Sequence, residues 1–301
     1  MKKFKLDRLY YWLFLAPALI AFLVVVVIPF GMGIYYSLTD WTAVAGLKAN
    51  WVGLANYKDM FSDFAFRYSF TRTFLFTILS VLTINAMALT FAFLVTREVR
   101  FKNFFRAGFF IPNLIGGIVL GYVWQFMFKS VVPALGALLG IPALEELLIL
   151  ASPSLTLFGL ILAFTWQYAG YIMMIYVAAL LNVPQELLEA AEIDGANFWQ
   201  KFKGITLPMI AQAFTITSFL TLVNAFKQYD IIIALSKGGP ATLYQGEIVN
   251  STELLAVHIY NVAFKYNNMA EGQARAIIFF LVLSVVSIGQ VYYNKKREVE
   301  M

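Results

Sequence analysis

"LYYWLFLAPALIAFLVVVVIPFGMGIYYSLT", Leu9 to Thr39, carries no charged side chain from end to end. A helix needs ~20 apolar residues to cross the hydrocarbon core of a bilayer, so this stretch can make one complete crossing. The rest of the chain repeats the pattern. Charge-free windows also run from Thr73 to Thr96, Ala107 to Phe128, Leu147 to Gln185, Gly204 to Phe226 and Ala276 to Asn294. One ionised group at the bilayer centre costs ~2.5 kcal/mol or more, which makes such windows good markers of spans. They predict an all-α integral membrane protein with six transmembrane helices at about 9–36, 73–96, 106–128, 155–181, 207–230 and 276–294. These form a single membrane domain over 1–301, with a polar loop at 182–208. A composition of 61% hydrophobic and 13% charged residues agrees, being too apolar for a soluble domain of 301 residues. A further uncharged window, Ser130 to Leu144, is short and interrupted by Pro133, Gly136, Gly140 and Pro142, and reads as a loop with an interfacial helix. The first span is too long for the ~7–15-residue apolar core of a signal peptide, and no A-x-A site follows it.

Basic residues set the orientation. Thirteen lie on one side: Lys2, Lys3, Lys5 and Arg8, then Arg97, Arg100, Lys102 and Arg106, then Lys201 and Lys203, then Lys295, Lys296 and Arg297. The other nine are spread over the longer loops 39–73 and 227–275 and the turn near Lys129. Both termini are therefore expected in the cytoplasm. The net charge of +5 fits this flanking pattern and gives no reason to expect a nucleic acid partner.

Several chemistries are excluded. With no cysteine and one histidine, there is neither a thiolate site nor a histidine cluster, and His258 reads as a solvated or interfacial residue. No G-x-x-x-x-G-K-[ST] loop occurs; "SKGGPAT", Ser236 to Thr242, has glycines without that spacing. Nucleophile and base arrangements are equally lacking, so neither catalysis nor a bound cofactor or metal is expected.

Polar residues inside spans are costly unless they pair or face water, and they direct attention to two places. Gln167, Tyr168 and Tyr171 lie in the fourth window, where Phe164, Tyr168 and Tyr171 follow helical spacing; Asn224 and Gln228 stand four apart near the end of the fifth. Aromatic faces stack on the CH faces of sugars and amides bond their hydroxyls, which suits a neutral carbohydrate. The same amides also suit a second reading, as bonds between helices. Trp124 and Gln125 read as part of an aromatic belt, and Gly117 with Gly121 as a helix-packing pair.

The loop between the fourth and fifth windows contains "EAAEIDGANFWQKFKGITLP", Glu189 to Pro208. Pro184 suits a first helical turn with Asn182 as a cap, and Gly195 suits a left-handed stop, so a short helix is expected over 184–194 and a second over 196–203. The pattern is EAA, three residues, G, nine residues, I-x-LP. It resembles the hallmark of the membrane permeases of bacterial binding-protein-dependent ABC importers. The resemblance extends over most of the chain and is to the sugar-type permeases related to the maltose importer's larger membrane subunit. It is carried by "LAPALIAFLVVVVIPFGMGIYYSLTDW" from Leu15, "VGLANYKDMF" from Val52, "YDIIIALSKGGPA" from Tyr229 and "NMAEGQARAIIFF" from Asn268, where Arg275 is an unusual charge at the start of a span. Some maltose-type subunits have extra spans and a large inserted domain, which are not expected here.

The resemblance implies a type I ABC importer transmembrane domain that moves a sugar or oligosaccharide inward by alternating access. It implies that Glu189, Ala190, Ala191, Asp194, Gly195, Ile205, Leu207 and Pro208 couple to an ATPase, and that sugar sits among Gln167, Tyr168, Tyr171, Asn224 and Gln228. The implied partners are a second homologous permease subunit, two ATP-binding subunits holding ATP and Mg, and an extracytoplasmic solute-binding protein, in a bacterial plasma membrane. Two alternatives are a glycerol-3-phosphate permease, which would want cations in the fourth and fifth windows, and a self-sufficient secondary transporter, which would show internal symmetry and acids within spans. Reporter fusions placed after Arg100 and Asn197 are expected to read as cytoplasmic, and fusions after Lys58 and Thr252 as external; a cytoplasmic signal at Lys58 would overturn the six-span arrangement.

Overall fold

The computed structural model describes residues 2–42, 49–97 and 100–296, with only the backbone described for 2–9. Of the cations counted above, Lys48, Arg297 and the side chains of Lys2, Lys3, Lys5 and Arg8 fall outside the described residues. Helix α1 runs Lys2–Phe22 and continues through a wide turn, Leu23–Val27, into Ile28–Ser37. There follow α2 (Ala55–Ser62), α3 (Phe64–Thr96), α4 (Lys102–Leu114), α5 (Gly117–Leu139), α6 (Pro142–Glu145) and α7 (Pro153–Leu181). The remainder comprises α8 (Gln185–Ile193), α9 (Phe198–Met209), α10 (Ala211–Phe226), α11 (Asp230–Leu235), β1 (Ala241–Tyr244), β2 (Glu247–Asn250), α12 (Leu255–Tyr260) and α13 (Met269–Lys295). Among the described residues five helices are long and apolar enough to cross a membrane, and α9 with α10, bent by 71°, makes a sixth when taken as one span.

The helices expected from 73 and from 276 begin earlier, at Phe64 and Met269, and the third span differs most from the sequence reading. The expected third span breaks at Ile115, which is extended (φ −81°, ψ 127°), and the helix restarts after Gly116. The span is instead α5, which runs on to Leu139 through the segment expected to be a loop. Pro133 does not break it, because it occupies the first turn after a wide turn at Met127–Val131, where its missing N–H is tolerated. Gly140, at φ 64°, ends the helix. The long loop 227–275 contains α11, an antiparallel hairpin pairing Leu243 with Ile248, and α12.

The chain divides into two compact units. In the unit Met1–Asp63 with Ile259–Phe280, the Asn56 amide donates to the Ser37 and Thr39 carbonyls (2.7 and 2.8 Å) and Ser37 Oγ meets Tyr57 Oη at 2.7 Å. Asp40 accepts from the side-chain amide and then the backbone N–H of Asn50, which lowers its pKa below the ordinary carboxylate value. Arg275 is buried, and its guanidinium bonds Asp63 Oδ2 and Glu271 Oε2, each at 2.9 Å. That pairing accounts for a charge at the start of a span.

In the unit Phe64–His258 with Leu281–Met301, α3 lies along α7. Thr73, Thr77, Ser80, Ile84, Ala88, Ala92 and Val95 recur every three or four residues on its buried face. Facing them, α7 buries Thr156, Gly159, Ala163 and Gly170 among larger residues. Small side chains on both helices let the backbones approach closely, as membrane helix packing requires. A buried hydrogen-bond network then ties α3, α7 and α10: Tyr176 Oη donates to Asn85 Oδ1 (2.8 Å), Thr217 Oγ1 donates to Tyr176 Oη (2.8 Å), and Asn85 Nδ2 donates to Thr221 Oγ1 (3.1 Å).

The glycine pair of α5 packs as the sequence suggests, against α11: a Cβ at Gly121 would lie 2.5 Å from Ala234 Cβ and 3.0 Å from the Ile231 carbonyl oxygen. Gly121→Val is therefore expected to cost about 1–3 kcal/mol through overpacking. Gly108→Ala, which meets nothing within 4 Å, should leave the thermal melt of the purified protein close to wild type. Equal melting of the two variants would remove the packing role.

Candidate functional site

The polar insert forms an elbow built by local capping chemistry. Pro184 is extended (ψ 124°) and stands just before α8, whereas Asn182, the expected cap, instead closes the end of α7. At the other end of α8 the Ala196 N–H reaches the Ala191 carbonyl (2.9 Å) and the Gly195 N–H reaches that of Glu192 (3.0 Å), with Gly195 at φ 81°. This paired closure needs a left-handed residue, which glycine supplies at no steric cost. Helix α9 opens with a reciprocal cap: Asn197 Oδ1 accepts from the Gln200 N–H (3.0 Å), and Gln200 Oε1 accepts from the Asn197 N–H (2.7 Å). Lys201 Nζ bonds Glu192 Oε2 at 3.0 Å across the elbow.

Exposure divides the motif. Glu189, Ala190, Asp194 and Gly195 are exposed, Ile193 is 87% exposed, and a Cβ at Gly195 would meet nothing within 4 Å. Ala191 is half-buried; Leu188 and Ile205 turn inward onto the core. Leu207 and Pro208 begin the last turn before the bend at Ile210. An exposed helix with small residues and exposed large apolar side chains, Leu187 and Ile193, is a surface another protein can grip. Apolar anchors ringed by polar residues are the usual form of such contacts.

The candidate substrate residues are partly regrouped. Gln167 is buried, and its Nε2 donates to the Ile115 carbonyl at 3.0 Å, satisfying the backbone where α4 and α5 part. Phe164, expected to share a lining face with the tyrosines, is fully buried against Phe76 at 5.4 Å. Tyr168 packs against Phe164 at 4.6 Å with the rings tilted by 49°, and remains half-buried. Tyr171 lines an open groove of about 550 Å³ with Arg106, Ala107, Phe110, Met174, Ile175 and Ala178. Asn224 donates to the Leu220 carbonyl of its own helix (2.9 Å), and Gln228 is buried just beyond the end of α10.

Sequence reasoning missed Arg106, whose Nη2 donates to the Val95 carbonyl at 3.1 Å, because it sits just outside a charge-free window. It also passed over Asn85, although an amide within a span was the signal to follow. Trp124 packs inside, 5.1 Å from Phe128 and 5.7 Å from Trp166, rather than in an interfacial belt. Gln125 donates to the last carbonyls of α11, at Ala234 and Leu235. His258 is buried, not solvated, with Nδ1 3.1 Å from Glu253 Oε1.

Comparison with known proteins adds three findings. A family model described as "Binding-protein-dependent transport system inner membrane component" matches residues 88–299. The chain is 40% identical over 299 residues, covering 99% of it and 98% of the relative, to a "Probable starch degradation products transport system permease protein AmyD" of Thermoanaerobacterium thermosulfurigenes. It is 30% identical, with 98% of each chain covered, to the "Multiple sugar-binding transport system permease protein MsmF" of Streptococcus mutans. The fold is similar to a chain in the crystal structure of a bacterial ABC transporter importing alginate, with TM-score 0.78, 22% identity and 98% coverage of both chains.

Gln167→Leu strands the Ile115 carbonyl and is expected to cost about 1–3 kcal/mol, read as a lower melting temperature of the purified protein. An unchanged melt would show that another group closes that helix end.

Proposed function

The chain belongs to the binding-protein-dependent transport system inner membrane components, a family of multi-pass membrane proteins, and on that premise we propose how it works as the sugar-translocating permease subunit of an ATP-driven importer. The exposed elbow of α8 and α9 carries the reading: it is a preformed grip whose capped ends hold Glu189, Ala190 and Gly195 outward from the spans. Two ATPase subunits, holding ATP and Mg, dock there. A second, similar permease subunit completes the pathway, and an extracytoplasmic binding protein delivers the sugar. The complex lies in a bacterial plasma membrane with both termini of this chain in the cytoplasm. Closing of the ATPases on ATP drives the elbow and shifts the spans between outward- and inward-open states.

Tyr168, Tyr171, Asn224 and Gln228 line the sugar's path; Gln167 has committed its amide nitrogen to Ile115, which leaves Oε1 to offer a hydroxyl. Names among the relatives support a sugar or oligosaccharide. A glycerol-3-phosphate reading draws on two observations, Arg106 in the groove with Tyr171 and a relative 31% identical that is named as an sn-glycerol-3-phosphate transport permease. The groove is otherwise apolar apart from Tyr171, which favours the neutral substrate.

The test uses the complete importer in proteoliposomes. Glu189→Lys and Gly195→Trp should leave the subunit in the membrane, lose the ATPase in a pull-down and abolish uptake, because charge reversal and bulk both spoil the grip. Tyr171→Ala should keep the ATPase and lose uptake, through stacking or hydrogen bonding worth ~0.5–3 kcal/mol. Normal ATPase capture and uptake in both elbow variants would refute the docking assignment.

A further inference from the structure

Phe93, in the last turns of α3, meets two rings of the elbow's second helix edge to face: Phe202 at 5.6 Å and Phe198 at 6.2 Å between centroids, both at 72°. Phe198 and Phe202 are parallel to one another, 4° apart in plane. Two residues earlier Phe91 stacks on Phe109 of α4 at 4.2 Å and 11°. Residues two apart on a helix of 3.6 per turn point about 200° apart, so α3 stands between the elbow and α4 with one ring on each side. Arg106 adds a second tie between α4 and the end of α3 through the Val95 carbonyl. The Phe109 carbonyl lies directly against Gly170 of α7, with no side chain between the backbones. Gly170 stands between Tyr168 and Tyr171.

We propose that this run of contacts, from Phe198 and Phe202 to Phe93, from Phe91 to Phe109, and from Phe109 to Gly170, transmits the movement of the ATPase-docked elbow to the sugar-facing tyrosines. The proposal rests on the docking role given to the elbow above. Its rival is the covalent route from α9 into α10, and that route turns through 71° at Ile210, so a push along α9 is not delivered along the axis of α10. The aromatic route has no such joint. Its rings are stiff, with two rotatable bonds each, and its last step is backbone on backbone, so displacement at one end moves the other rather than being absorbed by side-chain rearrangement. Phe91, Phe93 and Phe109 are positioning residues in this scheme, acting on the tyrosines through α4 and α7.

A contact path becomes a coupling path only when coupling is measured. In the reconstituted importer, with the ATPase still captured, Phe93→Ala and Phe109→Ala should each raise the ATP hydrolysed per sugar imported by about 5-fold or more, within the range of ordinary site-to-site coupling. Because that coupling is reciprocal in binding, each should also blunt the effect of the sugar-loaded binding protein on nucleotide affinity. Phe93→Tyr should restore the ratio. The double variant should be no worse than the worse single, since both lie on one route. If Phe93→Ala assembles poorly, the near-isosteric Phe93→Met serves in its place with the same expectation. Wild-type ratios in the Phe93 and Phe109 variants, or effects that simply add, would overturn the route. Gly195→Trp tells the two failures apart: ATPase lost there with normal Phe93 ratios rejects only the route, whereas ATPase retained there rejects the docking on which the route depends.

Discussion

In hydrocarbon every peptide N–H and C=O must find a partner within the protein, since an unmet one costs several kcal/mol, and the side chains of this chain are arranged around the places where its helices fail to provide one. Gln167 serves the Ile115 carbonyl where α4 stops, Gln125 serves the carbonyls ending α11, and Arg106 serves the last turns of α3. Thr156 accepts the same duty at the start of α7, donating to the Ile149 and Ser152 carbonyls at 2.9 and 2.8 Å. Of the residues expected to meet sugar, Gln167 has its amide nitrogen committed in this way, and Asn224 bonds the Leu220 carbonyl of its own helix.

That accounting also separates what the sequence could reveal from what it could not. Charge-free windows find helices that must avoid ionised groups; the spans expected at 9–36 and 155–181 lie within two residues of Tyr10–Ser37 and Pro153–Leu181, whereas the helix expected from 73 begins at Phe64. They are blind to a break made by neutral residues, so the change of direction at Ile115 and Gly116 passed unnoticed, and Pro133 looked like an interruption although a first-turn position accommodates it. The elbow was legible because capping is local: Gly195 and the Asn197–Gln200 pair meet partners within five residues. Trp124, Phe164 and His258 were misjudged for the opposite reason. What buries Trp124 and Phe164 comes from elsewhere in the fold, Trp166 for one and Phe76 for the other, and helical spacing says which residues share a face without saying what covers it. For His258 a partner only five residues away, Glu253, was not enough of a signal, because its burial also depends on Phe66, far away in the sequence, whose ring lies 6.2 Å from the imidazole.

Close backbone approach explains why the second unit can behave as a few stiff pieces. Lipid chains are as apolar as leucine, so membrane helices gain little from hydrophobic contact with one another and must associate through fit and hydrogen bonds. Gly170 under the Phe109 carbonyl and Gly121 against Ile231 and Ala234 bring main chain to main chain, and the Asn85, Tyr176, Thr217 and Thr221 network fixes the register of three helices. Such contacts leave few soft side chains at the crossing points. The bend at Ile210 is therefore a natural place for relative movement, while α3, α4 and α7 are joined by contacts that resist it.

Two arginines illustrate how charge is kept from compromising this arrangement. Arg275 is neutralised by carboxylates on two elements, Asp63 and Glu271, and so acts as a brace inside its own unit. Among the described residues Arg106 pairs with no carboxylate; its Nη2 donates to a carbonyl near the C-terminus of α3, the end at which a helix carries partial negative charge and favours a cation by about 0.3–1 kcal/mol. That favourable field gives Arg106 a structural reason to be where it is, independent of any cargo.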